Sequence, residues 1–244
     1  MSRMLCTGFA LAAAVVVVPA AEGAFSLQDL DIRIVRPDGT MWNIQNGNNL
    51  ENSITEFRQV GEFQFVVKGS FSETGWSCDW DLLIDEDPFV NANFAFTNNT
   101  GSDNNFQVIV GANVQPVSPS SVMQGSISGT LGSGVPGTNT ATLAAASGDS
   151  LYTALVDGVG VQTLLNDPFS VSTAFTTAFG AADFGIPSPI AGPAVVNSIG
   201  IRHSFFLTAG DSATFSSAFV VNVPTPGTVA LMGLAGIVSL RRRR

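Results

Sequence analysis

Few residues of the kinds that build catalytic and metal sites occur in this chain. Its 244 residues include one histidine, two cysteines and one lysine, and only 12% of them are charged. Zinc and haem sites need clustered histidine and cysteine ligands, which this composition does not supply. No Gly-x-Ser-x-Gly motif accompanies the one histidine, His203, so a Ser-His-Asp hydrolase is not expected. The sequence predicts a protein that is not an enzyme and has no cofactor.

Positive charge is also scarce between the two ends of the chain. Residues 25–223 hold five basic and eighteen acidic residues, a net charge of −13. A body of this charge repels phosphate backbones, so nucleic acid is not expected as a partner. The acidic surface is either simply solvated or binds cations.

The composition favours an all-β fold. Glycine, serine, threonine and asparagine are abundant, which suits strands joined by tight turns better than helices with charged surfaces. In residues 90–97 the even positions are apolar, which predicts a strand with one face in a core and the other in water. About ten such strands predict one antiparallel β-sandwich, with a jelly-roll-like arrangement as a variant. We expect this domain to occupy residues 25–222.

Two pairs of these strands are predicted to form hairpins. Residues 106–110 repeat the period of residues 90–97 after a turn, so these two segments are expected to pair. Asp157-Gly158 favours a two-residue turn between strands 151–156 and 159–165. Residues 125–139 predict a flexible loop, and residues 185–189 predict a rigid one. The other predicted strands are Phe63–Lys68, Trp80–Ile84, Ile199–Leu207 and Ala213–Val221.

The first 24 residues have the three-part pattern of a secretory signal peptide. Arg3 precedes an apolar run over residues 8–18, and small residues follow at positions 20–24. This order predicts export and cleavage within residues 20–24, because the apolar run is too short to span a bilayer. An uncleaved anchor or a buried core helix is the alternative. Cleavage would remove Cys6 and leave Cys78 alone, so no intramolecular disulfide is expected.

Residues 223–244 combine a proline hinge, an apolar segment and a basic end. In order, they contain Pro224, Thr225 and Pro226, the apolar residues 229–240, and Arg241, Arg242, Arg243 and Arg244. The 14 residues 227–240 would form about 21 Å of helix, against a hydrocarbon core of about 30 Å. This predicts a marginal transmembrane helix whose arginines stay in the cytoplasm while the body lies outside. A basic helix lying on the membrane surface is the alternative.

This tail resembles the PEP-CTERM sorting domain of exported proteins from Gram-negative bacteria. In that family a Pro-Glu-Pro motif precedes a short transmembrane helix and an arginine cluster, and a membrane transpeptidase called exosortase is thought to process the motif. Pro224 and Pro226 match the two prolines, and Thr225 stands in place of the glutamate. The resemblance implies an exosortase-type enzyme as a partner, transient anchoring in the inner membrane, and delivery to the cell envelope, cell surface or extracellular matrix.

Tryptophan residues form the first candidate binding site in the body. Trp76 and Trp80 have the same strand parity, so one strand would place both on one face, and Trp42 could join them. Such a platform would stack on the apolar faces of a sugar, although packing in a core is the commoner role of these residues. The alternative function is therefore a carbohydrate-binding module acting on extracellular polysaccharide.

Carboxylates form the second candidate site. The acidic residues proposed as ligands are close in sequence: Asp79, Asp81, Asp85 and Asp87. They supply the oxygen atoms that Ca²⁺ prefers, or else they form a solvated strand end. A carboxylate pair of the glycoside hydrolase type within this cluster is a further alternative.

Overall fold

The computed structural model describes residues 25–35, 38–43 and 53–222, and this part of the chain is built from β-strands. The predicted signal peptide, residues 1–24, and the predicted sorting tail, residues 223–244, lie outside the described residues. Within the described ranges, no helix is long and apolar enough to cross a membrane. A short 3₁₀ helix, Leu27–Asp29, opens the body, and the Ser26 side chain caps it by accepting a hydrogen bond from the Gln28 N–H.

Sixteen strands follow in the described part of the chain. They are β1 Leu30–Val35, β2 Met41–Asn43, β3 Ile54–Gln59, β4 Gln64–Glu73, β5 Trp76–Asp85, β6 Phe89–Asn98, β7 Asn104–Asn113, β8 Ser121–Gly132, β9 Ala141–Ala145, β10 Ser150–Val156, β11 Val159–Asn166, β12 Ser170–Thr173, β13 Thr176–Phe184, β14 Ile190–Gly192, β15 Ser198–Leu207 and β16 Ser212–Asn222.

Sheet A contains eight of these strands, and most of its neighbours are far apart in the chain. β11, β10, β15, β7, β1 and β2 lie side by side in that order. β9 pairs with the other half of β15 and with β12. Arg33 of β1 pairs with Ile109 of β7, which pairs in turn with Arg202 of β15. This register places all three residues in one row across the sheet.

Sheet B contains the other eight strands in the order β13, β8, β16, β6, β5, β4 and β3, with β14 paired to β8. From β3 to β6 the neighbours also follow one another in the chain, joined as successive hairpins. The last strand, β16, lies in the interior of the sheet, between β6 and β8. All described pairings in both sheets are antiparallel.

The two sheets pack their inner faces over one apolar core. Alternate residues of β6 are buried, as the period of residues 90–97 predicts. The ring of Phe96 in sheet B lies 4.5 Å from that of Phe106 and 5.3 Å from that of Phe205, both in sheet A. Burial of such apolar surface is the main contribution to folding. The prediction of an all-β fold with two antiparallel sheets is confirmed, and the jelly-roll variant stays a prediction.

Two side chains of sheet A form hydrogen bonds with sheet B across this core. His203 of sheet A places Nε2 3.0 Å from the Oγ of Ser217 in sheet B. The Tyr152 hydroxyl of sheet A donates to the Ala218 carbonyl of sheet B over 2.9 Å. Each bond satisfies a buried polar group that would otherwise oppose folding.

The hairpin predicted around Asp157-Gly158 is confirmed. β10 and β11 pair with Val156 opposite Val159, and the two turn residues have φ values of 50° and 77°. Positive φ at both central positions is what a two-residue hairpin turn requires. The predicted loop at residues 185–189 likewise separates β13 from β14.

The predicted hairpin between residues 90–97 and 106–110 is wrong. The first segment lies in β6 of sheet B, whereas the second lies in β7 of sheet A and pairs with β1 and β15. The chain crosses between the sheets at Asn98, which is fully buried. Its amide donates to the carbonyls of Leu207 and Thr208 at 2.9 and 3.2 Å, and this fixes the end of β6 against β15. The turn residues are compatible both with a hairpin within sheet B and with a crossing to sheet A. The hydrogen bonds of the buried Asn98 favour the crossing.

The flexible loop predicted for residues 125–139 is wrong over its first half. Residues up to Gly132 belong to β8, which is paired on both sides. A Cβ atom at Gly129 would lie 1.9 Å from the Thr214 carbonyl oxygen and 2.5 Å from the Phe179 ring. Glycine is therefore present because a neighbouring strand and an aromatic ring approach closely, and not because the segment is a loop.

Candidate functional site

The tryptophan platform predicted for sugar stacking is buried. Trp76 and Trp80 do lie on one face of one strand, β5, as their parity predicts, but it is the inner face, and they are 0% and 3% exposed. The Trp76 ring stacks on Phe96 at 5.5 Å and meets the edge of Trp42 at 5.1 Å. A sugar cannot stack on rings that are covered in this way. The prediction of a sugar-stacking platform is therefore wrong, because these side chains are buried in the apolar core.

The carboxylates predicted for Ca²⁺ are too widely spread to form one site. Asp79 and Asp85 belong to the same extended strand, β5. Six residues of a strand span about 20 Å, whereas Ca²⁺ ligands lie about 2.5 Å from the ion. Among the described residues, no group of three or more His, Cys, Asp or Glu side chains is placed to hold a metal ion. A single site that uses all four residues, Asp79, Asp81, Asp85 and Asp87, is therefore wrong.

A shallow groove lies over the outer face of sheet B, where some of these residues are found. It has a volume of about 380 Å³ and includes Asp79, Asp81, Asn93 and Ala95 in its lining. Asp81 is paired with Lys68 at 3.2 Å. The two carboxylates stand side by side on one strand rather than facing each other across a cleft. The lining combines these polar groups with the nearly buried aromatic residues Trp80, Phe94 and Phe215.

His203 is a structural residue of the core. Its Nδ1 lies 3.1 Å from the Leu151 carbonyl oxygen, which can only accept, so Nδ1 carries the proton and Nε2 accepts from Ser217. Burial lowers the pKa of His203 to about 4, although the bond to the Leu151 carbonyl favours the charged form. The residue is fully buried, so it is a neutral imidazole that holds the sheets together.

Cys78 is likewise a core residue. Burial, and secondly the negative charge of Asp79, raise the pKa of its thiol above the ordinary value. A thiol that stays protonated is a poor nucleophile and a poor metal ligand.

A second, smaller depression, which we call the glycine trench, lies on the outer face of sheet A. It has a volume of about 220 Å³. Its floor is a pair of glycines, Gly111 of β7 and Gly200 of β15, directly opposite each other. Asp31 of β1 stands at one end of this row and Leu155 of β10 at the other. The trench exists because two neighbouring strands have no side chain at the same level.

One long wall of the trench carries Arg33 and Ile109, and the row that contains them continues to Arg202 beyond the lining. In the adjacent row, Arg33, Ile109 and Arg202 are neighbours across three strands. An ion pair of 2.5 Å joins Arg33 to Asp31, and one of 2.9 Å joins Arg202 to Asp149. The backbones of alternate strands are about 10 Å apart, and Ile109 lies between the two arginines in this row.

The other long wall carries neutral polar groups and one carboxylate. It contains Asn113, Ser198 and Asp29, and the Asn113 amide donates to Asp29 Oδ1 over 3.3 Å. Behind it, Asp157 accepts hydrogen bonds from three backbone N–H groups, of residues 196, 197 and 198. Burial alone would raise the pKa of Asp157, but these three donors bring it below the ordinary value. The wall is therefore held in place by its own hydrogen bonds.

Comparison with known proteins does not assign a function to this trench. No protein-family model matches the chain, and no curated protein is significantly similar to it. The function has to be argued from the residues themselves.

Sequence reasoning missed the trench because its residues come from four separate strands. Asp31 and Arg33 alternate with apolar residues in β1, which does predict that they share an outer face. Nothing local predicts that Gly111 and Gly200, 89 positions apart, will lie opposite each other. That information is contained only in the strand order.

Proposed function

We propose that this protein is an exported, non-enzymatic surface or matrix protein that is sorted through its C-terminal tail. The proposal depends on one observation, the order of a proline hinge, an apolar segment and four arginines in residues 223–244. The PEP-CTERM-like order predicts a membrane-retained tail that an exosortase-type transpeptidase processes. The leader in residues 1–24 supplies the export step that such a tail requires.

The position of the body's ends supports this arrangement. Phe25 stacks on Phe65 at 4.4 Å and lines a small cavity together with Glu86. At the other end of the body, the Val221 N–H donates to the Pro88 carbonyl over 2.9 Å. Both ends therefore lie beside the turn between β5 and β6. A body whose two ends leave from one side can face a membrane with that side and display the rest.

The short distance between the body and the apolar segment supports it further. β16 ends at Asn222, and the segment counted as helix starts at Gly227. Four intervening residues extend over at most about 14 Å. A tail inserted in the inner membrane would therefore hold the folded body close to the periplasmic surface until the tail is cleaved.

Intact mass of the protein isolated from the cell surface tests the proposal. We expect a mature species that starts within residues 20–25 and lacks the residues after about position 226. A second measurement uses a reporter fused after Arg244, which we expect on the cytoplasmic side. A reporter found outside the cell, or a full-length product in the cytosol, would contradict the proposal.

The tryptophan residues that would support the alternative function, a carbohydrate-binding module, are buried in the core. A saccharide would need a different surface, one that is open to solvent and rich in hydrogen-bonding groups.

A further inference from the structure

Exposed aliphatic side chains gather at the end of the body where β16 stops, which we call the exit end. Among the residues that the structure describes, eight large apolar side chains are exposed. Four of them lie at the exit end, each in or beside a different connection between strands: Val60, Val159, Ile186 and Val196. Apolar residues scattered singly over a surface are ordinary, whereas a group of them at one end indicates an interaction site.

Two of these residues belong to neighbouring connections of sheet A. The Asp157 carboxylate accepts a hydrogen bond from the Val196 N–H over 3.0 Å, so the turn that precedes Val159 lies against Val196. Val195 pairs in turn with Val117, in the connection between β7 and β8. The two most exposed of the four side chains, 66% for Val159 and 60% for Val196, are therefore close together.

The turn between β5 and β6 links this place to Val60. The Gln115 N–H, two positions before Val117, donates to the Glu86 carbonyl over 2.9 Å. The Glu86 N–H donates to the Phe63 carbonyl over 3.1 Å, in the connection between β3 and β4 that also contains Val60. The same β5–β6 turn accepts the backbone hydrogen bond from the end of β16.

Ile186 lies beside the last residues of β16. A Cβ atom on the preceding residue, Gly185, would lie 2.3 Å from the Met123 carbonyl oxygen. Met123 of β8 pairs with Val221, the last residue but one of β16. All four exposed side chains are thus connected by short contacts to the point where the chain leaves the body.

We propose that the exit end docks on the surface of a neutral, zwitterionic bilayer, with these four side chains in the headgroup region. This inference rests on the proposed function, because the sorting tail supplies the attachment that keeps the body at the membrane.

The short attachment argues for a bilayer as the occupant. Four residues separate Asn222 from the apolar segment that starts at Gly227, a reach of at most about 14 Å. β16 has 11 residues and spans about 36 Å, so the exposed Val135 and Phe175 at its other end are out of reach. A short attachment gives a high effective concentration, so contacts that are weak by themselves are sufficient for docking.

The charges of the exit end determine which kind of bilayer fits. Glu62 and Asp87 are exposed there. Its described connections, residues 60–63, 86–88, 114–120, 157–158, 185–189 and 193–197, contain no lysine or arginine. Anionic headgroups repel such a surface, whereas apolar side chains enter the interface of a neutral bilayer without this penalty.

Quenching of a fluorophore by nitroxide-labelled lipid tests the proposal, with the full-length chain reconstituted in phosphatidylcholine vesicles. The fluorophore is attached through Val159→Cys or Val196→Cys, and through Phe175→Cys as the matched control, which is 63% exposed at the opposite end. Every variant also carries Cys6→Ser, and the buried Cys78 is protected from labelling. We expect quenching at positions 159 and 196 to be about threefold stronger or more than at position 175.

Charged substitutions at the other two positions test whether the four side chains act together. Val60→Asp combined with Ile186→Asp should reduce quenching at position 196 towards that at position 175, because a carboxylate opposes entry into the interface. Val135→Asp, at the opposite end, is the control and should change nothing. Replacing half of the lipid with phosphatidylglycerol should weaken quenching at positions 159 and 196.

Flotation of the same vesicles distinguishes this inference from the proposed function. Protein that floats with the vesicles but shows equal quenching at positions 159, 196 and 175 would overturn the docking and leave the sorting tail in place. Protein that does not float would overturn both. Stronger quenching with phosphatidylglycerol, or cross-linking of two copies of the chain through position 159, would overturn the neutral bilayer as the occupant.

Discussion

The inner faces of the two sheets contribute different interactions to one core. Sheet B supplies large aromatic side chains, with both Trp76 and Trp80 on its inner face and Phe94, Phe96 and Phe215 on neighbouring strands. Sheet A supplies two polar side chains in the middle of the core, His203 and Tyr152, which bond to sheet B, while Asn98 of sheet B bonds to sheet A at one end of the core. Apolar burial is strong but has no direction, whereas a hydrogen bond fixes how two surfaces are placed. We therefore expect stability to depend mainly on sheet B and the register between the sheets to depend on sheet A.

Loss of a large aromatic ring should have the greatest effect. Trp76→Ala removes a fully buried side chain that packs on Phe96 and Trp42. We expect the free energy of unfolding to fall by about 3–5 kcal/mol, measured by urea denaturation. Phe175→Ala is the matched control, since its ring is 63% exposed and should cost less than about 1 kcal/mol. Similar losses in the two variants would mean that the aromatic face is not the main source of stability.

Acid should reduce the contribution that the buried His203 makes to the stability of the folded protein. The pKa of this side chain is about 4 in the folded protein, well below its ordinary value of 6.5. Between these two values the unfolded chain binds a proton that the folded chain does not, so stability present above pH 6.5 is lost as the pH falls towards 4. A pKa difference of this size between the folded and unfolded states corresponds to about 3 kcal/mol of folding stability.

His203→Asn separates this effect from the titration of carboxylates. Asparagine keeps a donor for the Leu151 carbonyl but does not titrate. We expect the variant to be less stable at pH 7, and the gap between the two proteins to narrow by about 3 kcal/mol between pH 7 and pH 4. Unfolding free energies of both proteins at several pH values measure this gap. Parallel pH profiles would show that His203 does not titrate as its burial indicates.

The smallest effect is expected for the second bond between the sheets. Tyr152→Phe removes only the hydroxyl that donates to the Ala218 carbonyl. The loss should be about 1 kcal/mol, the usual net value of one hydrogen bond. Thermal unfolding of the variant measures it, with Tyr152→Leu as a comparison that also removes ring contacts. A loss as large as that of Trp76→Ala would contradict the division between the two sheets.

Local patterns predicted strands well but did not predict which strands become neighbours. The period of residues 90–97 and the Asp157-Gly158 turn involve contacts within about ten residues, and both predictions are confirmed. The path after Asn98 depends on carbonyls that lie more than 100 positions later in the chain. Such a contact leaves no periodic signal in the sequence around the turn.

The candidate sites also combine features that local patterns predict with features that depend on the strand order. Parity placed Trp76 and Trp80 on one face, but only the position of the second sheet decides that this face is inside. The trench needs Asp31, Gly111, Gly200 and Leu155 to align across four strands. Their alignment is a property of strand order, so it becomes visible only in the folded protein.

The interior position of β16 has a consequence for folding during synthesis. This strand is the last of the body in chain order, yet it lies between β6 and β8. Until residues 212–222 have emerged from the ribosome, β6 and β8 have no neighbour on that side, and the two parts of sheet B are not joined. Sheet B can therefore be completed only after the last of its strands has been synthesised, although its β3–β6 hairpins involve only residues that come much earlier in the chain.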